Sequence, residues 1–446
     1  MKHTKLWKRT HRFIDAEDKN FKLIFFAFII GGIVGSTASL FRFLLEQFDS
    51  IRTSLYSAND SIILNWGIAL FFGVACLGIS IYLVRRFAPE TSGSGVHEIE
   101  GALDGLRPVR WKRVLPVKFF ASILSLGSGL LLGREGPTIQ MGSSIGVMIK
   151  DVFKQTDEKS NPLISAGAAA GLASAFNAPF SGIIFVMEEM HGHFKHNFFS
   201  IAAIMVASGT ADLVSRFFVG ASPVIKMAIY ETPPLSSIWL FILLGAVFSI
   251  IGYVFNKLLI LALNFFSNLS KNATIIATII TGIIIASIGI LFPNLIGGGY
   301  NTIRLAIDQS YSLQFLLLLF IGRFILTVFS YGIGAPGGIF APLLALGVVL
   351  GLAFGNIAAL YFPNEVTNPA IFAIAGMVGI FAATVRAPIT GLMLAVEMTY
   401  NFELLLPLLF TSVAAALITT QLGNQPIYSI LLKRTLNKSR EDDVEK

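Results

Sequence analysis

The sequence predicts an all-α, polytopic membrane protein built by duplication, and three observations carry that prediction. The 446 residues are 54% hydrophobic and only 13% charged, with a mean hydropathy of +0.73. A soluble chain of this length would need more charge to cover its surface. Uncharged runs recur, among them IILNWGIALFFGVACLGISIYLV at 62–84, and about 20 such residues cross a hydrocarbon core as a helix. Finally, three motifs of the first half return in the same order in the second.

Taken in chain order, residues 1–20 are too polar for a secretory apolar region and read as a cytoplasmic lead-in. Apolar segments follow at 23–34, 62–84, 119–132, 199–210, 236–256, 273–292, 313–321, 339–361, 369–384 and 404–420. The net charge of +7 collects at the ends, in MKHTKLWKRTHR and in Lys433, Arg434, Lys438 and Arg440. This excess calls for no nucleic acid. The positive-inside rule instead places both termini in the cytoplasm, with an even number of crossings. Cys76, the single cysteine, excludes an internal disulfide and reads as packing. About a dozen residues follow Arg434, so no appended regulatory domain is expected there.

The internal repeat has a nearly constant register. GSGVHEI from Gly93 aligns with GGGYNTI from Gly297 at an offset of 204, and GREGPTIQMG from Gly133 aligns with GIFAPLLALG from Gly338 at 205. NAPFSGIIFVMEEM from Asn177 aligns with RAPITGLMLAVEMT from Arg386 at 209, pairing Glu188 with Glu397. The division is therefore 1–20, a cytoplasmic segment; 21–230 and 231–435, two membrane repeats meeting near ETPPLSS; and 436–446, a cytoplasmic tail. Glycines and prolines beside short apolar runs predict helices that begin inside the membrane, which is tolerated only where the backbone is buried or lines an aqueous path. Helix N-termini offer free N–H groups and partial positive charge, so several converging would make an anion site without a fixed cation.

At these anchors the sequence resembles the CLC family of chloride channels and transporters. GSGVHEIEGAL, GREGPTIQMG, GGIFAP and the late tyrosine of QPIYSILLKRTL occur in the family's order, and the likeness runs from about residue 21 to 435. The resemblance implies two inverted halves of tilted, partly spanning helices. It also implies a homodimer with one anion pathway per subunit and no cofactor. Carried over, chloride would be held by the hydroxyls of Ser94 and Tyr428 and the backbone N–H groups of Ile339 and Phe340. The resemblance also implies that serine at position 94 favours chloride over nitrate. Glu135 takes the place of the external gate, an anionic plug when ionised and movable when protonated. Arg134 and Glu135 as a mere packing pair is the plainer alternative, but ionisable groups within spans are functional by default.

Glu189, in MEEM, falls on the position of the internal proton-transfer glutamate of coupled members. The resemblance therefore implies an electrogenic Cl⁻/H⁺ antiporter, with a passive chloride channel on the same fold as the alternative. The implied location is the plasma membrane, in a bacterial inner-membrane type. An enzyme is not expected, because no HExxH metal motif is present.

His97 stands where the family usually has proline, and is read as a silent replacement or as a titratable neighbour of Ser94. His191, His193 and His196 follow Glu189 and would tune proton delivery rather than hold a metal. Lys118 begins an apolar span, either as partner of a carboxylate or as a snorkelling residue. Glu100 and Glu397 are buried-carboxylate candidates without an assigned role.

Overall fold

The computed structural model describes residues 2–56, 61–155, 162–190, 197–308 and 311–444; side chains of 2–19, 308 and 441–444 are outside the description, as are His191, His193 and His196. The described residues form seventeen α-helices, with a longer connection at 220–237 between the two halves. The first eight are α1 (Lys2–Tyr56), α2 (Ile62–Phe87), α3 (Val96–Leu103), α4 (Trp111–Gly127), α5 (Glu135–Val152), α6 (Pro162–Phe176), α7 (Pro179–Glu189) and α8 (Phe198–Val219). The next eight repeat that pattern: α9 (Ile238–Ser267), α10 (Lys271–Leu291), α11 (Tyr300–Asp308), α12 (Leu313–Gly332), α13 (Phe340–Tyr361), α14 (Ala370–Thr384), α15 (Pro388–Thr399) and α16 (Leu405–Gln421). The last, α17 (Ile427–Val444), has no counterpart.

Eight helices, counting α1 from Asn20, are long and apolar enough to cross a membrane. Side chains such as Phe71, Phe217 and Leu360 stand exposed on them, as lipid-facing groups do. The remaining helices are shorter than a bilayer. The run 119–132 is not one span: α4 stops at Gly127, and turns and bends lead to the start of α5 at Glu135. The apolar segments read from the sequence also leave out α6, PLISAGAAAGLASAF, a 15-residue apolar helix rich in alanine and glycine that is buried along nearly its whole length.

The halves are related as an inverted repeat. Helices α2, α5 and α7 each pack on their own counterparts, α10, α13 and α15, which is what a twofold axis between the halves requires. At that axis Gly133 and Gly338, equivalent residues, form an antiparallel bridge in which each N–H donates to the other's carbonyl at 2.7 Å. Two segments that pair with their own equivalents antiparallel must run in opposite senses.

Inside each half a glycine crossing fixes the core. A Cβ on Gly142 of α5 would lie 2.1 Å from the Gly167 carbonyl of α6, and one on Gly347 of α13 would lie 2.3 Å from the Gly376 carbonyl of α14. Backbones this close gain packing that no larger residue permits. Gly142→Ala is expected to cost about 1–3 kcal/mol or more through overpacking, while Gly78→Ala, with nothing within 4 Å of the added carbon, serves as the neutral control. Thermal denaturation in detergent reads the difference; equal melting temperatures would refute the crossing as a packing constraint.

Candidate ion pathway

The site is built where four helices begin. Helix α3 starts after Gly95, a left-handed residue at φ +83°, and the turn before it carries Ser94. This turn is held from behind by Lys118 of α4, fully buried, whose ammonium donates to the carbonyls of Thr91 (2.9 Å) and Gly93 (2.7 Å). Lys118 thus neither snorkels nor hydrogen-bonds a carboxylate. A buried ammonium costs several kcal/mol to desolvate, and charge-assisted bonds to carbonyls, about 1.5–3 kcal/mol each, offset much of that. Arg323 on α12 stands 205 positions on from Lys118 and does the same work in the second half. Its guanidinium donates to the carbonyls of Leu295 (3.2 Å) and Gly297 (2.9 Å) and to the Thr302 hydroxyl (2.9 Å). This fixes the triple-glycine turn that opens α11. A lone arginine in the apolar run 313–332, in register with Lys118, was the signal available for it.

Ser94 is fully buried. Its N–H donates to the Tyr331 hydroxyl at 3.3 Å, and its own Oγ accepts the Val96 N–H at 3.3 Å. Tyr331, from the end of α12, is a contact that sequence reading missed. Tyr428, at the head of α17, is also fully buried, and its hydroxyl, facing Ser94, has no hydrogen-bond partner among the described residues. The Tyr428 ring meets Phe340 edge-on at 5.9 Å, and Phe340 is wedged further by Phe381 (4.9 Å) and Phe185 (5.7 Å). Ile339 and Phe340 open α13, so their N–H groups have no partner within the helix. Serine hydroxyl, orphaned phenol and helix-end amides therefore converge from both halves. These are donors without a formal charge, suited to a dehydrated halide.

Glu135 is the first residue of α5, at the place where Phe340 opens α13, and it is completely buried. Its carboxylate turns back over Gly133, where a Cβ would lie 2.0 Å from Oε2. The N–H groups of Glu135 itself and of Ala341 are directed at it, and the Tyr300 hydroxyl donates to Oε1 at 2.5 Å. The carboxylate lies between two helix N-termini, in a seat an anion would take. The Arg134 guanidinium lies over the Tyr300 ring at 4.8 Å and donates to the Ala175 carbonyl at 3.2 Å rather than forming a salt bridge with Glu135. Above this group opens a cavity of about 290 Å³, lined by Arg42, Glu46, Arg52, Arg134 and Tyr300 among others.

Glu188 and Glu189, adjacent in sequence, divide their work. Glu188 caps α15, accepting the N–H groups of Ile389 (3.0 Å) and Thr390 (2.8 Å) and the Thr390 hydroxyl (2.7 Å). Its counterpart Glu397 caps α7 through Phe180 (3.1 Å) and Ser181 (2.7 Å). Each half thus caps a helix of the other. Glu189 takes no part in this exchange. It is half-buried at the end of α7, facing Arg386 and Glu100. Glu100 is buried with neither oxygen hydrogen-bonded among the described residues, and both glutamates face Tyr428. His97 is buried beside Lys118, Arg107 and Arg434, with Nδ1 unpartnered among the described residues.

A carboxylate lodged among helix-end amides, in a duplicated fold of broken membrane helices, defines an ion-transport protein of the inverted-repeat kind. The family model described as Voltage gated chloride channel matches residues 76–420, and the chain belongs to that family. It is 46% identical over 433 residues to the H(+)/Cl(-) exchange transporter ClcA of Vibrio campbellii, covering 95% of this chain and 92% of that one. Identity to the protein of the same name from Salmonella typhimurium is 41% over 430 residues, with 95% and 91% covered. Among solved structures, a slow cyanobacterial Cl⁻/H⁺ antiporter superposes with a TM-score of 0.91 at 40% identity, covering 94% of this chain and 99% of that one. A CLC-type fluoride/proton antiporter, at 20% identity and a TM-score of 0.75 over 90% and 95% of the two chains, shares the fold.

Proposed function

We propose that the chain is an electrogenic Cl⁻/H⁺ antiporter, acting as a homodimer with one pathway per subunit in a bacterial inner membrane, with both termini cytoplasmic. It is a transporter rather than an enzyme, and its two repeats divide at about residue 231. The observation that carries this reading is the Glu135 carboxylate seated between the N-termini of α5 and α13. That seat, filled by the protein's own anion, would otherwise hold chloride.

The mechanism follows from exclusion. Chloride and ionised Glu135 cannot share a few ångströms of low-dielectric path. Chloride held by Ser94, Tyr428 and the N–H groups of Ile339 and Phe340 pushes outward on the carboxylate, which yields when protonated. A proton arriving from the cytoplasm passes by Glu189, which Glu188 leaves free by taking the capping role. Glu100 and Tyr428 border that route. Opposed movement of Cl⁻ and H⁺ carries charge one way, so each net charge feels about 2.3 kcal/mol per 100 mV.

The test is a reconstitution. Liposomes containing the purified protein and a chloride gradient should drive protons uphill; chloride flux without proton movement would make the protein a channel. Ser94→Pro is expected to move the anion preference toward nitrate, measured as relative flux in the same liposomes. An unaltered ranking of anions would remove Ser94 from the ligand set.

A further inference from the structure

The Tyr300 hydroxyl has no place in the exchange cycle drawn above, yet it donates a short hydrogen bond to the Glu135 carboxylate. Tyr300 belongs to the other half of the molecule, 165 positions away. Three features fix it there. Gly297 and Gly299, at φ +76° and +108°, turn the chain sharply into α11. Arg323 clamps the carbonyls of that turn, and Arg134 covers the ring. The hydroxyl is thus a rigid donor aimed at one carboxylate oxygen.

We infer that Tyr300 is the latch of the gate: its hydroxyl holds the ionised Glu135 carboxylate in the anion seat and so sets the pH and chloride concentration at which the path opens. The inference rests on Glu135 being the gate. A donor bonded to a carboxylate favours the charged form over the neutral one, and charge-assisted bonds are among the strongest in proteins. When Glu135 takes a proton, the pair falls to an ordinary neutral hydrogen bond and the side chain can leave. The latch is therefore strong when the gate is shut and weak when it must move.

Other charges near the gate act more evenly. Arg134 is in its own turn. Arg42 on α1 faces Arg134 and Tyr300 but bonds Glu46 at 2.9 Å, and across the cavity Arg52 pairs with Asp49 at 2.7 Å. Arg323 on α12 is engaged by the carbonyls of the glycine turn. None of these donates a hydrogen bond to Glu135; among charged and titratable side chains, Tyr300 alone does so among the described residues.

The experiment uses Tyr300→Phe in the full-length protein, which keeps the ring under Arg134 and removes one oxygen. The half-maximum of chloride flux against pH should rise by about one unit, a tenfold change in proton affinity. Chloride binding to the detergent-solubilised protein, measured by calorimetry at a pH above the half-maximum, should tighten about tenfold, since the carboxylate that competes for the seat is held there less often. Both changes should vanish when Tyr300→Phe is made in a Glu135→Gln background, because only coupled residues deviate from additivity. An unshifted pH profile and unchanged chloride affinity in Tyr300→Phe, with Glu135→Gln still uncoupling protons, would overturn the latch alone. Equal effects of Tyr300→Phe in both backgrounds would also overturn it, as a mere widening of the path. Proton coupling that survives Glu135→Gln would instead remove the gate itself, and the latch with it.

Discussion

Glu135→Gln is expected to leave chloride moving and to stop protons. The amide matches the carboxylate in shape, and its oxygen can still accept the Tyr300 hydroxyl and face the N–H groups of Glu135 and Ala341. It can neither bind a proton at these pH values nor compete with chloride as an anion. Proton flux should therefore fall by about 10²-fold or more, the contribution of a positioned proton-transfer group. Chloride flux should persist and lose most of its dependence on pH. Stability should hold or rise, since burying an ion costs several kcal/mol and the neutral side chain avoids that cost. Paired chloride and proton fluxes in liposomes, with a melting curve, measure all three. Proton flux at the parent level would remove Glu135 from the gate.

Sequence reading reached the parts of this site that rest on backbone breaks. GREGP and GGIFAP mark helix starts because glycine is a weak helix former and proline is tolerated in a helix's first turn, where its missing N–H has no partner to lose, and both motifs open helices, at Glu135 and Phe340. The apolar windows found most of the long helices for an equally direct reason, the thickness of the bilayer. Helix α6 escaped because its alanines and glycines serve close packing against α5 rather than contact with lipid.

What could not be read were the partners of the buried polar groups. Lys118 and Arg323 bond to backbone carbonyls, which every residue has, so no partner residue type announces them. Tyr300 and Tyr331 reach across from the second half to Glu135 and Ser94, and nothing local in GGGYNTI or FSYGIG signals the contact. Glu188 and Glu397 were visible as equivalents in the repeat. Their exchange of helix caps became legible only once α7 and α15 were seen to pack together.

That exchange of caps makes Glu188 and Glu189 a matched pair of experiments. Glu188→Gln would set an amide NH₂ against one of the two N–H groups, of Ile389 and Thr390, that the two carboxylate oxygens now satisfy. Leaving such donors unpaired costs about 1–3 kcal/mol, so the melting temperature should drop while whatever protein remains folded still couples. Glu189→Gln disturbs no cap. Its neighbours are Arg386, Glu100 and Tyr428, and the amide fills the same space without carrying a proton. The melting temperature should stay near that of the parent, chloride should still pass, and proton flux should fall by about 10²-fold or more. The two neighbours thus separate stability from coupling within one turn of helix. Coupled exchange that survives Glu189→Gln in a protein of parental stability would take Glu189 out of the proton route and turn attention to Glu100, a buried carboxyl that also faces Tyr428.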